Sequence, residues 1–485
     1  MRQRLVTAEN KQWWTLAAVS VGLFMIMLDN TVVNVALPSI RSSLGMSLSE
    51  LEWVVAGYAL TFAAFMLTGG KLADLMGRRL IFMAGLVVFT GASLACGLAP
   101  NGGFLIGARV VQGLGGAMMN PATLSIITAT FPARQRGTAI GIWAGVSAMA
   151  LAIGPLVGGL LTEHVNWNWI FFINIPIGIV GLLSAPLLID ETRDTSKEQR
   201  PDVPGLATSA IGLFALTFAF IEANSYGWTS WQILGAFAIA AVSLGAFVVL
   251  ELRQRLPMLE LRLFRNRTFS GANVAMLFVG LAMFGTFFYV SLYMQNVLGF
   301  SPVQTGASFL PMTILIILIA PLAGRLSDRF GSRWLVGGGM TLLAIMLLYY
   351  STLGAGATFW AILPGLLIGG IGMGTTMTPT TAAAMSGVPV DKAGVGSAVL
   401  NSMRQVGGSL GIAVMGAIVA SGVSSALASG STPQEAFLNG FHDALRVAAL
   451  LALAGAVVAT VAIRKVEHKH ATEAEPEVAP VIEAA

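Results

Sequence analysis

The sequence predicts an all-α integral membrane protein with two six-helix bundles and two inserted helices, fourteen transmembrane helices in all. Of its 485 residues, 55% are hydrophobic and only 10% are charged, against about 25% charged in soluble proteins. Fourteen apolar runs are long enough to cross a bilayer core of about 30 Å. These runs are continuous and do not alternate with polar residues, which indicates helices and not strands. A ten-residue segment also occurs twice, once in each half.

The apolar runs fix the expected topology through the charges between them. The runs lie at 14–37, 51–70, 80–99, 104–131, 139–161, 169–189, 205–223, 231–250, 270–295, 303–323, 334–353, 359–385, 395–421 and 441–463. With a cytoplasmic N-terminus, all but four of the 27 basic residues precede, follow or join the runs on the cytoplasmic side; the exceptions are Arg41, Arg109, Arg404 and Arg446. The positive-inside rule therefore places both termini in the cytoplasm of a multi-pass cell-membrane protein. The net charge of +4 reports this topology and not a nucleic-acid-binding surface.

The repeat divides the chain into two halves. Residues 70–79 recur as residues 324–333, and both copies keep five positions: Gly70, Leu72, Asp74, Gly77 and Arg79, matched by Gly324, Leu326, Asp328, Gly331 and Arg333. Each copy follows the second run of a block of six. We therefore expect an N-terminal six-helix bundle at 1–190, two inserted helices with cytoplasmic linkers at 191–268, and a C-terminal six-helix bundle at 269–464. The remaining residues, 465–485, form an Ala-, Glu- and Pro-rich cytoplasmic tail that we expect to be disordered.

The second linker, 251–268, alternates apolar and charged residues. Two interpretations remain open for it. It either lies on the inner membrane surface or is a plain solvated loop.

An aspartate lies near the middle of the first run. Asp29 precedes Pro38 by nine residues, about 13 Å of helix. A carboxylate at this depth costs roughly 2.5–3.5 kcal/mol and usually marks a proton or ion pathway. The alternative is a buried acid that serves structure only, but Asn30 and Asn34 extend the polar stripe and favour function.

Arg109 in the fourth run enters from the same side and lies about 8 Å deep. Its long side chain can reach Asp29, and the pair would weaken when the aspartate is protonated. Gln112 lies one turn on and faces the same way. In the alternative, Arg109 extends outward to the membrane surface.

Several of these segments together resemble the major facilitator superfamily, specifically its fourteen-helix drug:proton antiporter family of the EmrB/QacA type. Residues 28–38 resemble the first-helix motif, 70–79 the cytoplasmic gate motif, 109–113 the fourth-helix motif linked to proton transfer, and 154–159 the fifth-helix antiporter motif; 167–178 and 401–408 match in outline. The resemblance implies alternating access between the two halves.

The resemblance also assigns roles to residues. It implies proton coupling by Asp29 and Arg109, and a gate motif formed by Gly70, Asp74, Gly77, Arg78 and Arg79 with Asp328 in the second copy. Asp74 is expected to face the N-terminus of span thirteen when the outer side is open. Pro155 is expected to kink the fifth helix, and Gly154, Gly158 and Gly159 allow the close packing that would seal the outer side.

A substrate cavity is expected between the halves, with these candidate lining residues: Asn34, Tyr58, Gln112, Trp143, Asn273, Tyr289, Tyr293, Asn401, Arg404 and Gln405. Arg404 lies near the midplane of span thirteen, a helix without acidic residues, which departs from the quaternary-ammonium pumps of this family. A preference for dicationic substrates is therefore in doubt, and Arg404 either pairs with an acid elsewhere or contacts substrate. Glu222 ends span seven beside tryptophans and is interpreted as an interfacial anchor.

These features predict a proton-driven antiporter that exports amphipathic organic compounds across the cytoplasmic membrane, with Asp29 as the proton carrier. One proton crossing 100 mV releases about 2.3 kcal/mol, which suffices without ATP, and there is no Walker A pattern. We expect a monomer in the lipid bilayer that binds protons and a small organic substrate, with no enzymatic activity, cofactor, metal or nucleic acid. The alternatives are a dedicated exporter of a single metabolite or antibiotic, or a lipid translocator on the same fold.

Overall fold

The structure is a computed structural model that describes residues 10–193, 201–255, 257–388 and 393–464, without the side chains at 133, 134, 328, 393 and 394. Within these ranges every regular element is a helix. The α-helices are α1 (Lys11–Leu44), α2 (Leu48–Met76), α3 (Arg78–Gly97), α4 (Gly102–Thr130), α5 (Ala133–His164), α6 (Trp169–Phe172), α7 (Asn174–Leu188), α8 (Val203–Tyr226), α9 (Trp231–Arg253), α10 (Arg267–Leu292), α11 (Pro302–Ser308), α12 (Leu310–Phe330), α13 (Ser332–Tyr350), α14 (Phe359–Ser386), α15 (Ala393–Ala428) and α16 (Pro433–Ala462). A 3₁₀ turn spans Leu261–Arg265, and a π-helical turn, Tyr293–Val297, continues α10. The predicted tail, 465–485, lies outside the described residues.

The helices confirm the predicted fold class. Two breaks divide single spans, so α6 with α7 forms the sixth span and α11 with α12 forms the tenth. Counted this way, the described residues contain fourteen long helices, of which 13 are apolar enough throughout to qualify as membrane spans by composition. The exception is α4, which carries Arg109, Gln112 and Asn120. The boundaries proposed for the bundles and insert stay predictions.

Local sequence signals set many of the helix ends. Gly45 ends α1 in the left-handed conformation, with φ 64°, and Ser47 begins α2 with a capping box completed by Glu50. The two copies of the repeat end their helices in the same way. Gly77 after α2 and Gly331 after α12 have φ of 124° and 85°, which favour glycine.

We call the end of the protein that carries the turn at 44–48 the outer end, and the end that carries residues 70–79 the inner end, following the predicted orientation. The helices α1–α7 form the first set and α10–α16 the second set. Between them, α8 and α9 pack on each other, and α8 also lies against α2 and α15.

The two sets meet at the outer end. Hydrogen bonds join Ser291 Oγ to the carbonyl of Asn34 (2.9 Å), Gln295 Nε2 to the carbonyl of Val35 (2.9 Å), and the Val303 amide to the Glu163 carboxylate (2.9 Å). Among the described residues, the innermost such bond runs from Ser402 Oγ to the carbonyl of Ala63, 3.3 Å. By contrast, the inner half of α5 is largely exposed, and a Cβ added at 137, 141 or 145 would contact nothing. The structure is therefore inward-facing, with a closed outer seal.

The linker at 251–268 corrects the sequence-based interpretation, which offered a membrane-surface segment or a solvated loop. Met258, Leu259 and Leu263 are less than 9% exposed and pack into the protein. The amide of Met258 donates to the Asp202 carboxylate at 3.2 Å, and that of Leu259 donates to the Glu251 carboxylate at 3.0 Å. These acids, on the inner ends of α8 and α9, fold the linker back onto the helices.

Candidate functional site

A buried ion pair joins α1 and α4 inside the first set. Asp29 is 0% and Arg109 is 1% exposed, and Arg109 Nη1 lies 2.5 Å from Asp29 Oδ2. The α4 backbone approaches α2 closely because Gly113 carries no side chain: an added Cβ would lie 3.1 Å from Cβ of Thr61. This close approach places the guanidinium against α2, and its contact with the carboxylate on α1 is the one expected from the depth of the two residues.

Two neutral amides complete the shell around Asp29. Gln112 Nε2 donates to Asp29 Oδ1 at 2.9 Å, and Asn174 Nδ2 donates to the same oxygen at 3.2 Å. Gln112 also donates to Ser93 Oγ at 2.8 Å. The carboxylate thus has three donors in a space shielded from solvent, an arrangement that stabilises its charge.

Arg109 is held as firmly as its partner. Besides Asp29, its guanidinium donates to Gln112 Oε1 at 2.6 Å and, through Nε, to the carbonyl of Val54 at 3.1 Å. The Tyr58 ring lies beneath it, with 4.2 Å from the guanidinium carbon to the ring centroid. This stacking adds cation–π stabilisation in an apolar setting. A cation with so many fixed contacts does not extend to the membrane surface, so that alternative for Arg109 is wrong.

Two buried polar atoms of the centre have no hydrogen-bond partner among the described residues. They are Asn174 Oδ1 and the Tyr58 hydroxyl.

Sequence reasoning found part of this centre. It predicted Asp29, Arg109 and Gln112, and it placed Tyr58 in the substrate cavity, whereas the tyrosine packs on the guanidinium. It missed Asn174, although one signal was present. Within the apolar run 169–189, the only polar side chains are Asn174 and Ser184.

The gate motif lies at the inner end of α2. Asp74 Oδ1 accepts hydrogen bonds from Arg78 Nε at 3.0 Å and Nη2 at 2.9 Å, while Arg79 Nη1 donates to the carbonyl of Ile189 at 3.1 Å. Gly70 lies against Pro121, with 3.3 Å from an added Cβ to the proline Cβ. The motif is therefore fastened within the first set in this conformation. The contact of Asp74 with span thirteen belongs to the opposite state and stays a prediction, and the side chain of Asp328 lies outside the described residues.

The start of α3 completes the gate motif. Both oxygens of the Glu191 carboxylate accept backbone amides, from Arg79 and Leu80, each at 3.1 Å. A Cβ at Gly77 would lie 2.6 Å from this carboxylate, so the position requires glycine twice over, for its φ and for space. Glu191 was not among the predicted site residues.

The antiporter motif of α5 lies in the outer seal. An added Cβ at Gly154 would lie 3.0 Å from Cβ of Thr31, and one at Gly158 would lie 2.6 Å from the carbonyl oxygen of Val32, both on α1. At Gly159 it would lie 2.9 Å from Cα of Val303 on α11, in the second set. The motif, which also contains Pro155, therefore allows α5 to touch both sets.

Six predicted cavity residues are packed inside protein, which corrects that assignment for this conformation: Tyr58, Gln112 and Gln405 are 0–1% exposed, and Asn273, Tyr289 and Tyr293 are 0–2% exposed. Tyr289 is 0% exposed and donates to the Glu52 carboxylate at 2.6 Å. Tyr293 donates to the carbonyl of Gly354 at 2.7 Å, and Asn273 is fully buried and bonds the carbonyl of Phe269 at 2.8 Å. Each of these last three residues donates to an internal acceptor, so it packs in the protein interior.

The other four candidates are less buried. Asn34, Trp143, Asn401 and Arg404 are half-buried. Among the described residues no ion pair forms at Arg404, and its Nε has no acceptor.

The neighbouring Gln405, 1% exposed, has an unpartnered Oε1.

Glu222, predicted as an interfacial anchor, accepts a hydrogen bond from Trp53 Nε1 at 3.2 Å and so links α8 to α2. Among the described residues no group of three or more His, Cys, Asp or Glu could hold a metal ion.

A helical membrane protein in two halves, with a buried ion pair in one half and a seal between them, has the architecture of an alternating-access transporter. The sequence profile of the Major Facilitator Superfamily matches residues 19–412, and the chain belongs to this superfamily. It is a transporter and not an enzyme.

Curated relatives include two that are 37–38% identical to this chain over the aligned residues. The tetracenomycin C resistance and export protein of Streptomyces glaucescens is 38% identical over 85% of this chain and 77% of its own. The multidrug resistance protein Stp of Mycobacterium tuberculosis is 37% identical over 86% and 77%. Among solved structures, an inward-facing bacterial homologue of the human lysosomal transporter Spinster has a TM-score of 0.68 at 18% identity, covering 94% of this chain and 98% of that one. This likeness shows the fold.

Proposed function

We propose that the protein is a proton-coupled antiporter that exports amphipathic organic compounds from the cytoplasm, with Asp29 as the proton carrier. The observation that carries the proposal is the buried Asp29–Arg109 pair. An ionisable pair held in the membrane interior usually marks a proton or ion pathway, which favours this role over a purely structural one. Relatives named for drug resistance and for antibiotic export support the direction of transport.

The proposed cycle begins in the inward-facing conformation. Asp29 is charged and paired with Arg109 at 2.5 Å, its proton having left toward the cytoplasm. Substrate enters from the inner side, and the halves then rock until the inner ends close and the outer seal opens. A proton from outside neutralises Asp29, weakens the pair and favours release of substrate and return. Both termini remain cytoplasmic throughout.

The pair is physically connected to the seal that must open. Asn34 and Val35, one to two turns beyond Asp29 on α1, offer their carbonyls to Ser291 and Gln295 of the second set. A change of tilt or rotation of α1 that follows protonation of Asp29 would therefore act on these bonds directly.

Arg404 bears on the substrate range. It is half-buried and its Nε has no acceptor among the described residues, which suits organic molecules that carry carbonyl or acidic groups. A dedicated exporter of one antibiotic is the second candidate, because the Streptomyces relative is named for a single compound. Protection of a pump-deficient strain against unrelated drugs, or against one only, separates the two.

The direct test uses purified protein in liposomes. An imposed pH gradient, acidic on the side of the outer end, should drive accumulation of a fluorescent dye on that side, and adding substrate should release protons to the opposite side. A protonophore should abolish both signals. Dye movement that ignores the gradient and the protonophore would contradict the proposal and favour a facilitator or a lipid translocator.

A further inference from the structure

A second buried carboxyl group lies in the outer seal, away from the Asp29 centre. Glu52 of α2 is only 2% exposed. Its Oε1 accepts a hydrogen bond from the Tyr289 hydroxyl at 2.6 Å, and Tyr289 belongs to α10 in the second set. This contact is a hydrogen bond between two buried side chains that joins the two sets.

A glycine makes the space for the carboxyl group. Gly416 of α15 lies directly against Glu52, so that any added Cβ would overlap the carboxyl carbon and both oxygens. Nearer the inner end, α15 and α2 are also joined by Ser409 Oγ, which donates to the carbonyl of Ala56 at 3.4 Å. The carboxyl group is thus enclosed by α2, α10 and α15 and is part of the seal.

Among the residues that the structure describes, the groups that face Glu52 supply no positive charge. From α10 there is the Tyr289 hydroxyl, and at its contact with α15 there is Gly416, which has no side chain. From α8 there is Glu222, a second acid, which accepts the Trp53 indole N–H at 3.2 Å. From α4, Arg109 reaches the carbonyl of Val54, which lies on α2 two residues from Glu52, but the charge of Arg109 is paired with Asp29. A carboxylate enclosed without a cation is strongly disfavoured against the neutral acid, whereas an open, hydrated one is not.

We propose that Glu52 is a proton-binding latch of the outer seal. As the seal closes, the Glu52 carboxylate takes one proton from water on the outer side, and the resulting neutral acid accepts the Tyr289 hydroxyl. As the seal opens, the proton returns to the same side. Glu52 therefore carries no proton across the membrane, in contrast to the role proposed for Asp29. It makes closure of the outer side depend on external acidity, the same condition under which protons enter the cycle.

The structure also shows how the latch is linked to the ion pair. Val54, whose carbonyl is held by Arg109, lies two residues from Glu52 on the same helix. The Asp29–Arg109 centre therefore positions the segment of α2 that presents Glu52 to the second set.

The experiment measures closure of the outer end against pH. The single cysteine, Cys96, is replaced by serine, and spin labels are attached at Ser42→Cys and Ser429→Cys, two exposed positions at the outer ends of α1 and α15. The background also carries Asp29→Asn, so that Glu52 is the fully enclosed acid of the outer seal left to titrate; the other buried acids, Asp202 and Glu251, lie at the inner end and are unchanged in every variant. Protein in lipid nanodiscs is measured between about pH 5 and pH 9. We expect the open-to-closed ratio to rise with pH by up to about tenfold per unit, the limit for one proton.

Glu52→Gln keeps the acceptor for Tyr289 but cannot titrate, so in this background we expect a closed seal at all pH values. The matched control is Glu163→Gln. Glu163 also joins the sets at the outer end, by accepting the Val303 amide, but it is exposed, and its removal should leave the pH dependence intact. In otherwise unmutated protein, Glu52→Gln should leave the number of protons released per substrate unchanged, which separates this inference from the role of Asp29.

Tyr289→Phe provides a second line of evidence that does not require the Glu52 variant to fold. It removes the hydroxyl and keeps the acid and the ring, so opening should begin at a lower pH with the same steepness. Three results would overturn the proposal: no pH dependence in the Asp29→Asn background, an unchanged dependence in Glu52→Gln, or an unmoved midpoint in Tyr289→Phe.

Discussion

The backbone of Gly306 in α11 lies against the backbone of Pro155 in α5, and this contact joins the two halves of the transporter main chain to main chain. A Cβ added at Gly306 would overlap Pro155 and lie 3.1 Å from Cα of Leu156. The relationship is mutual, since Gly159 of α5 lies equally close to Val303 of α11. The outer seal thus depends on small residues from both sets.

Enlarging either glycine should therefore force the outer end apart. For Gly306→Leu or Gly159→Leu we expect a shift toward the outward-open state by about 1–3 kcal/mol, the usual cost of overpacking. The measurement is the distance between labels at the outer ends, together with transport. Gly145→Leu is the matched control, because that position of α5 faces open space. Equal effects at positions 145 and 159 would reduce the motif to general helix packing.

In the gate motif, we predict a substitution that lowers transport but leaves stability unchanged. Asp74→Asn removes a partly exposed ion pair with Arg78, the first residue of α3 beyond the turn at Gly77, and such a pair is worth only about 0–1 kcal/mol. We expect normal insertion and thermal stability but transport reduced several-fold, because the opposite state loses the charge that closes the inner end. Initial rates in vesicles, corrected for the amount of protein, measure the effect.

The control for Asp74 is a second Asp–Arg pair, which lies within α16. Asp443→Asn removes a pair with Arg446 at 2.9 Å that is more exposed. If Asp74→Asn and Asp443→Asn transport equally well, the inner loop has no gating role and its charges serve topology only.

Arg404 offers a prediction about substrate. An arginine that has no ion pair in the membrane interior costs free energy, so Arg404→Gln should leave the melting temperature equal or higher. If the guanidinium binds substrate, affinity for acidic or carbonyl-rich compounds should fall by about 1.5–3 kcal/mol, the value of a hydrogen bond to a charged group. The affinity for cationic dyes should be unchanged. Binding of acidic, neutral and cationic compounds to both proteins, with a melting curve for each, distinguishes recognition from structure. A lower melting temperature with uniformly weaker binding would indicate a structural role.

How far the sequence predicts this protein depends on whether a feature lies along a helix or between helices. Depth in the membrane is a linear function of residue number, so the sequence alone places Asp29 and Arg109 at similar depths. The repeat likewise marks equivalent positions in the two halves, and α2 and α12 end within its two copies, at Gly77 and Gly331. Which helices pack side by side does not follow from residue number. Asn174 reaches Asp29 only because α7 packs beside α1, and Val54 enters only through the approach of α2.

The same reason explains the corrected assignments. Polar aromatic residues such as Tyr289 and Tyr293 are typical of a cavity wall, but a buried acceptor from another part of the chain converts them into packing residues. The alternation in 251–268 is typical of a surface segment, yet Asp202 and Glu251 accept its amides and bury it. In each case, a partner distant in the sequence, or on an adjoining helix, decided the outcome.

The final prediction concerns the proton carrier itself. Asp29→Asn keeps oxygen and nitrogen atoms where the carboxylate was, so hydrogen bonding by Gln112 and Asn174 can largely persist. It mimics the protonated acid permanently and leaves Arg109 without its counter-charge, for which we expect a lower melting temperature. The variant should bind substrate but not use a proton gradient, since the side chain at 29 can no longer change charge. Drug-evoked proton release should vanish, and substrate affinity should lose its pH dependence.

Two further variants sharpen this test. Asp190→Asn removes an exposed acid paired with Lys11 in the same half and should leave coupling intact. Arg109→Ala should fail differently, because an unpaired carboxylate in the membrane interior holds its proton and cannot release it inward. Dye accumulation and proton release in the same liposomes, with and without protonophore, compare the three. If Asp29→Asn still concentrates dye in a protonophore-sensitive way, Asp29 is not the carrier, and the buried or half-buried acids of the outer seal, Glu52 and Glu222, become the candidates.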